Sequence, residues 1–163
     1  PLRSKRCRNS LQTMGWPTRS SPNSWSMIVE RVVLDTNVLI SAVLSPSGAP
    51  ANLLARLVRA RSVLVFSEPT MNELATRMLK SKFDRYVDRS LRVKFLAELD
   101  AVAEIVGITG APMGCRDRED DMILETALNA EAPLIVTGDS DLLSMNPWRD
   151  IRIVSPAEAI EFF

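Results

Sequence analysis

The sequence contains no histidine. That absence removes histidine-ligated zinc sites, Ser-His-Asp triads and Cys-His dyads together, so any catalysis must rest on carboxylates, hydroxyls, lysine, arginine or a metal. Cysteine is scarce, with only Cys7 and Cys115 present. Cys7 lies in an N-terminal tail, which argues against a structural disulfide and fits a reducing, cytoplasmic setting. No apolar run approaches the roughly 18 residues expected of a membrane span. Net charge is absent too, since 20 basic residues balance 20 acidic ones. The balance is uneven along the chain. Residues 1–26 hold Arg3, Lys5, Arg6, Arg8 and Arg19 and no acid, leaving 15 basic and 20 acidic residues for the remainder. An acidic domain is poorly suited to holding duplex nucleic acid by bulk charge, so a metal and a local basic patch would have to supply positive charge.

What is present is enough chain for one domain. The 163 residues are 46% hydrophobic and 25% charged, as in an ordinary globular protein. Residues 1–26, rich in Arg, Ser and Pro without apolar periodicity, are expected to form a disordered leader or non-native extension ahead of Met27. They lack the apolar centre of a secretory signal. Residues 27–163 are expected to form a single domain.

Within that span, strand and helix patterns alternate. Ile28 to Leu34 reads as a buried strand ending in Val32-Val33-Leu34. Helices are expected over Val38–Leu44 and Ala51–Ala60, then a strand over Val63–Phe66. Ser67 caps a helix to about Leu79, with Pro69 in its first turn. A helix over Leu91–Ala103, a strand over Glu104–Ile108 and a loop over 109–116 follow. Asp117 is placed to cap a helix through Ala130, Leu134–Val136 is a buried strand, and Ile151–Val154 is the last one. Ser155-Pro156-Ala157-Glu158 has the form of a capping box before a short closing helix. This alternation predicts an α/β fold, Rossmann-like and three-layered, with a mostly parallel sheet of four to five strands.

In open α/β sheets, ligands sit beyond the carboxyl ends of the strands. Asp35 follows Val32-Val33-Leu34 directly, and Asp139 follows Leu134-Ile135-Val136 after two residues. A third acid, Asp120, precedes the apolar stripe Ile123, Leu124, Ala127 and Leu128 by helical spacing, which phases it onto the buried face at the helix N-terminus, with Asp117 and Asp121 flanking it. Three acids at such ends, without histidine, suit a hard divalent cation such as Mg²⁺ or Mn²⁺. Phosphodiester hydrolysis is the chemistry that uses such a site. Each acid also has an ordinary structural role open to it. Asp35 is placed to cap the following helix, the Asp117–Asp121 acids to favour a helix dipole, and Asp139 and Asp141 to form a turn.

The motifs themselves are similar to those of a known family. Val32-Val33-Leu34-Asp35-Thr36-Asn37-Val38-Leu39 resembles the opening motif of PIN-domain nucleases, Asp120 to Ala127 their third, and Ile135 to Leu143 their fourth. Order and spacing resemble VapC-like toxins of bacterial toxin-antitoxin pairs, over about Met27 to Phe163. The resemblance implies a PIN fold, Mg²⁺ or Mn²⁺ as cofactor, cleavage of single-stranded RNA, a cognate antitoxin partner and a homodimer. Carried over by position, Asp35, Asp120 and Asp139 would ligate metal, supported by Thr36 or Asn37, by Thr137 and by Asp141, with Asp121 the ambiguous neighbour of Asp120. The family's second acid corresponds to Glu73. The pattern alone does not support it, because the stripe Met71, Leu74, Ala75 and Met78 leaves Glu73 on the solvated side.

Between Arg77 and Lys94 lie Arg77, Lys80, Lys82, Arg85, Arg89, Arg92 and Lys94, with Phe83 and Tyr86 among them and Asp84 and Asp88 the only acids. Basic residues interleaved with aromatics suit single-stranded nucleic acid, with Arg77, Lys80, Lys82 and Arg85 the candidate RNA contacts. The same stretch reads equally as a solvated helical face with the two rings packed inward, or as a surface that meets an antitoxin. Trp148 is expected to pack, and Cys115 to be a bystander. A haloacid-dehalogenase-type phosphatase would need a second aspartate two residues after Asp35, where Asn37 stands. A non-catalytic interaction module is the remaining alternative.

Overall fold

The computed structural model describes residues 31–163. The expected leader over 1–26 and the start of the first strand lie outside the described residues. Five strands form one sheet: β1 (Arg31–Leu34), β2 (Val63–Ser67), β3 (Glu104–Val106), β4 (Leu134–Val136) and β5 (Arg152–Val154), in the order β3-β2-β1-β4-β5. Every pairing is parallel. The α/β reading therefore holds, with the sheet wholly rather than mostly parallel.

The helices are α1 (Thr36–Leu44), α2 (Ala49–Ala60), α3 (Glu68–Met78), α4 (Arg89–Val102), α5 (Asp121–Asn129), α6 (Ser140–Leu143) and α7 (Pro156–Ala159). Short 3₁₀ turns cover Ser81–Phe83, Arg118–Asp120 and Ile160–Phe162. Alternate strand residues face opposite ways, and each face is covered. Val32, Leu34, Leu64, Phe66, Leu134 and Val136 pack with α1–α4 and α7, while Val33, Val65, Ile135 and Ile153 pack with α5 and Leu142 of α6. Trp148 packs against this second cluster, as expected.

Local chemistry explains most boundaries. Ser67 accepts from Thr70 N and opens α3 with a capping box, and Pro69 occupies the first turn, where a missing N–H costs nothing. Ser155 and Glu158 form the expected box before α7. Helix α1 begins two residues earlier than its apolar pattern suggests, because Asp35 itself supplies the cap. The short α6, with Asp139 as its cap, was not foreseen, since four residues are too few to show a helical period.

The basic stretch is reassigned in part. Arg92 is fully buried, donating to the carbonyls of Met78 (2.7 Å), Lys80 (3.2 Å) and Val87 (3.1 Å) and pairing with Asp84. Arg89 donates to Leu79 O at 2.9 Å. These two arginines satisfy carbonyls at and beyond the C-terminus of α3, which the helix leaves without partners. Arg92 is therefore structural rather than part of a solvated face, while Arg89 stays exposed and reaches back to the helix end. Of the two rings, Phe83 is packed against the core while Tyr86 is 64% exposed, so only the first packs inward.

No single helix among the described residues is long and apolar enough to cross a membrane.

Candidate active site

The strand order turns back between β1 and β4, which are neighbours although far apart in sequence. The chains leaving their carboxyl ends diverge there and open a crevice. Asp35 leaves β1 and Asp139 follows β4. Thr137, fully buried, ties them together: its hydroxyl donates to Asp35 Oδ2 at 2.7 Å and accepts from Asp139 N at 2.9 Å.

Both acids also make the structural bonds considered from sequence. Asp35 Oδ1 accepts from Asn37 N at 3.3 Å, and Asp139 Oδ1 accepts from Asp141 N at 2.7 Å and Leu142 N at 3.4 Å. Capping does not exhaust either group, since a carboxylate offers about four lone-pair sites. Burial pushes the pKa of Asp35 up, and the nearby Glu73 charge adds to this, against the lowering effect of Thr137, Asn37 N and Arg77.

Helix α3 brings Glu73 to the same place. Thr36 Oγ1 donates to Glu73 Oε2 at 2.8 Å, and Arg77, one turn on, donates to Glu73 Oε1 at 2.9 Å. Arg77 also donates to Asn37 Oδ1 at 2.7 Å. Glu73 is thus half-buried at the junction of α3 with the start of α1, not on a solvated face. The apolar stripe of α3 reports only the side facing the sheet and says nothing of a contact between the middle of α3 and the start of α1.

Asp120 and Asp121 part company. The 3₁₀ turn Arg118–Asp120 winds more tightly than an α-helix, so the α-helical phase used to place Asp120 does not apply to it. Asp121 is the buried one, accepting from Cys115 N at 2.9 Å. Asp120 is half-buried and faces the other acids. Burial, then the charges of Asp139, Asp35, Asp117 and Glu73, push its pKa up to about 6. Cys115 Sγ lies 3.9 Å from Asp120 Oδ2, and burial raises the pKa of this thiol.

The remaining candidates sit on the rim. Asp141 is half-buried, 3.7 Å from Arg116. Lys80, Lys82 and Arg85 are exposed beyond the end of α3, with Lys82 over the Phe83 ring at 4.9 Å and Arg85 over Tyr86 at 5.5 Å. Arg77 alone of the four basic candidates reaches the acids.

Sequence reasoning missed Glu125. It is 3% exposed and accepts from Thr109 N (2.6 Å), Thr109 Oγ1 (2.7 Å) and Gly110 N (2.9 Å). Desolvation raises its pKa, but these bonds outweigh it and the net shift is downward. No local signal marked it, since Glu125 lies outside the apolar stripe Ile123, Leu124, Ala127 and Leu128 and its donors come from a distant loop.

The donors at the crevice are all carboxylate oxygens, the set a hard divalent cation prefers. Burial, and after it the charges of the neighbouring acids, raise the pKa of Asp120, and Arg77 is the cation that pairs with Glu73 beside them. Among the described residues no three acids close into a metal-gripping group. The four face one another across an open crevice, so the donor chemistry fits a cation while the arrangement is not a finished cage.

Fold and site together define a class: a doubly wound, parallel α/β protein with acids gathered where the strand order reverses. The PIN domain family model matches residues 31–141, a span that includes all four acids, and the chain belongs to that family. It is also 31% identical over 142 residues to "Uncharacterized protein MJ1680" of Methanocaldococcus jannaschii, a match covering 82% of this chain and 91% of that protein. PIN domains are generally nucleases, which places this chain with hydrolases that act on nucleic acid.

Proposed function

We propose that this protein is an endoribonuclease that cuts single-stranded RNA with the help of Mg²⁺ or Mn²⁺. The observation that carries this reading is the convergence of Asp35, Glu73, Asp120 and Asp139 beyond the β1 and β4 ends, where burial first and the neighbouring carboxylates second raise Asp120 to about 6. Buried like charges cost stability unless something offsets them. Asp35, Asp120 and Asp139 would hold the cation, with Glu73 as the fourth catalytic acid. Such a cation, when bound, lowers the pKa of water and neutralises charge developing on a phosphodiester.

The protein's own residues do the positioning. Thr137 sets the rotamer of Asp35 and the backbone of Asp139 at once. Thr36 and Arg77 orient Glu73, and Arg77 fixes Asn37 in turn. Asp121 holds the turn that presents Asp120, and Asp141 extends the acidic rim. Arg77 beside Glu73, with Lys80, Lys82 and Arg85 on the exposed segment after α3, would meet the RNA backbone.

The test is cleavage of single-stranded RNA by the purified chain with Mn²⁺, compared with Asp35→Asn and Asp139→Asn. Loss of cutting in both variants is expected; full activity in either would sink the assignment. By resemblance, the protein would act as the toxin of a toxin-antitoxin pair and as a homodimer. Growth arrest on induction, relieved by the neighbouring open reading frame, tests the first. Light scattering of the purified chain tests the second.

One observation favours a second reading, a non-catalytic PIN module: Arg77 already places a positive charge between Glu73 and Asn37. A calorimetric titration with no Mn²⁺ binding at millimolar concentration would select it.

A further inference from the structure

Beside the crevice lies a pocket of about 570 Å³, with Asp121 as well as Glu73 and Glu119 among its lining residues. Its size falls within the roughly 300–1,000 Å³ of ordinary ligand sites. Glu73 forms one edge, shared with the crevice. Ala111, Pro112 and Met122 give it apolar walls, and Arg118 and Glu119 stand at its rim.

The outer wall belongs to the segment 107–117, which has no regular secondary structure and is largely exposed. Such a segment would ordinarily be mobile. Here both ends are tied by carboxylates of α5: Glu125 holds Thr109 and Gly110, and Asp121 holds the backbone of Cys115. Gly110 and Gly114, with φ of 80° and 98°, make the turns between these ties. Two buried carboxylates thus organise a loop that contributes little to the core. What they shape is the pocket.

We infer that this pocket is a subsite for one unpaired nucleobase of the strand next to the phosphodiester at the crevice. The inference rests on the nuclease reading above. Ala111, Pro112 and Met122 offer an apolar slot for a base face, and Arg118 a cation for the adjoining phosphate or for stacking. Glu119 accepts hydrogen bonds only, which favours bases carrying an exocyclic amine over uracil. A paired base enters such a slot only after unpairing and unstacking, which costs free energy that an unpaired base does not spend. The pocket would therefore select single strands, a choice the carboxylates cannot make because they see only the backbone.

The experiment uses the full chain carrying Asp35→Asn, so that oligonucleotides stay intact, and follows fluorescence anisotropy with labelled oligo(A), oligo(U), their DNA counterparts and a duplex. Single strands should bind more tightly than the duplex, and oligo(A) more tightly than oligo(U). The RNA and DNA arms report whether the 2′-hydroxyl contributes. Ala111→Trp, which fills the slot, and Arg118→Glu should each weaken single-strand binding about tenfold, the scale of one stacked base. Glu119→Gln should reduce the preference for oligo(A), with Asp121 and Glu73 still lining the pocket, and Arg59→Ala, on an exposed face of α2, should change nothing. Melting curves confirm folding, and Arg118→Glu, on an exposed turn, serves if Ala111→Trp does not fold. Unchanged binding in both pocket variants, equal binding of duplex, or no binding of any oligonucleotide overturns the subsite. In parallel, the wild-type chain is assayed on a small aryl phosphodiester that has no base and on RNA. If neither is hydrolysed while the binding pattern holds, the nuclease reading falls and the subsite stands. If RNA is cut but the pocket variants bind like their parent, the reverse is true.

Discussion

Asp35 and Glu125 have lost almost the same solvent, at 5% and 3% exposure, yet their pKa values move in opposite directions. Glu125 sits on α5 and takes three hydrogen bonds from a single loop turn. Those donors recover what burial removes, so the charged form is favoured. Asp35 also has donors, but it shares its surroundings with Glu73 and with Asp120, whose own pKa reaches about 6. The difference is between a carboxylate whose charge is spent inside the fold and one held ready for something outside it. Asp35 also lies deeper in the fold, so desolvation weighs more on it than on Glu125, whose loop donors win, and the Glu73 charge adds to the rise of Asp35.

The largest expected effect tests the crevice. Asp35→Asn should reduce Mn²⁺-dependent RNA cleavage by more than about a hundredfold, since even outer-shell partners of metal ligands are worth 10- to 100-fold. Its urea midpoint should stay close to that of the parent. A variant that unfolds instead would erase the contrast between the two acids.

Glu125→Ala should behave in the opposite sense. It leaves Thr109 N and Gly110 N without their partner, at about 2 kcal/mol in urea unfolding. Hydrolysis of a small phosphodiester should fall much less than in Asp35→Asn. Stability equal to wild type would show that the loop is not held by this group.

Thr137→Val sits between the two classes, removing a donor to Asp35 and an acceptor for Asp139 N while keeping the shape. A loss of about 1 kcal/mol in stability is expected, with a measurable fall in cleavage. Loss of stability with full cleavage would mean that the two strand ends need no bridge.

The smallest effect is a dependence on pH. In the fold Asp120 titrates at about 6, against 3.8 for an unperturbed aspartate. Between these values the folded chain holds a proton that the unfolded chain has released. Stability contributed by this group therefore falls as pH rises through the window, and ionised Asp120 is destabilising above it. Asp120→Asn should stabilise the protein at pH 7.5 by less than about 1 kcal/mol, given its half-exposed side chain, and the gain should fade toward pH 4. Urea unfolding at the two pH values measures this, and an equal gain at both would break the electrostatic account.

Some of the site was legible from the chain. Asp35 and Asp139 stand directly after short apolar strands, and a parallel strand buried on both faces announces itself as an unbroken run of Val, Ile and Leu. The boxes at Ser67 and Ser155 are local chemistry and were equally plain. Helix phase picked Asp120 for a reason that does not hold, since it lies in a 3₁₀ turn ahead of α5 and Asp121 is the more buried, and it failed for Glu73 because periodicity records the side facing the sheet. Arg92 read as one more surface cation, since nothing local marks the carbonyls it serves, at Met78, Lys80 and Val87.

By itself, then, the sequence determined the strands, most of the helices, the absence of histidine chemistry and the two acids at strand ends. These follow from patterns a few residues long, where side-chain period and capping act within one turn or one strand. Only the tertiary structure decided which of two adjacent aspartates faces the crevice, that Glu73 meets Thr36, and that Glu125 shapes a loop sixteen residues before it. Those outcomes depend on which chain ends the β1–β4 reversal brings together. A carboxylate's charge state is set by every donor and every like charge around it, and in this protein most of them arrive from distant parts of the chain.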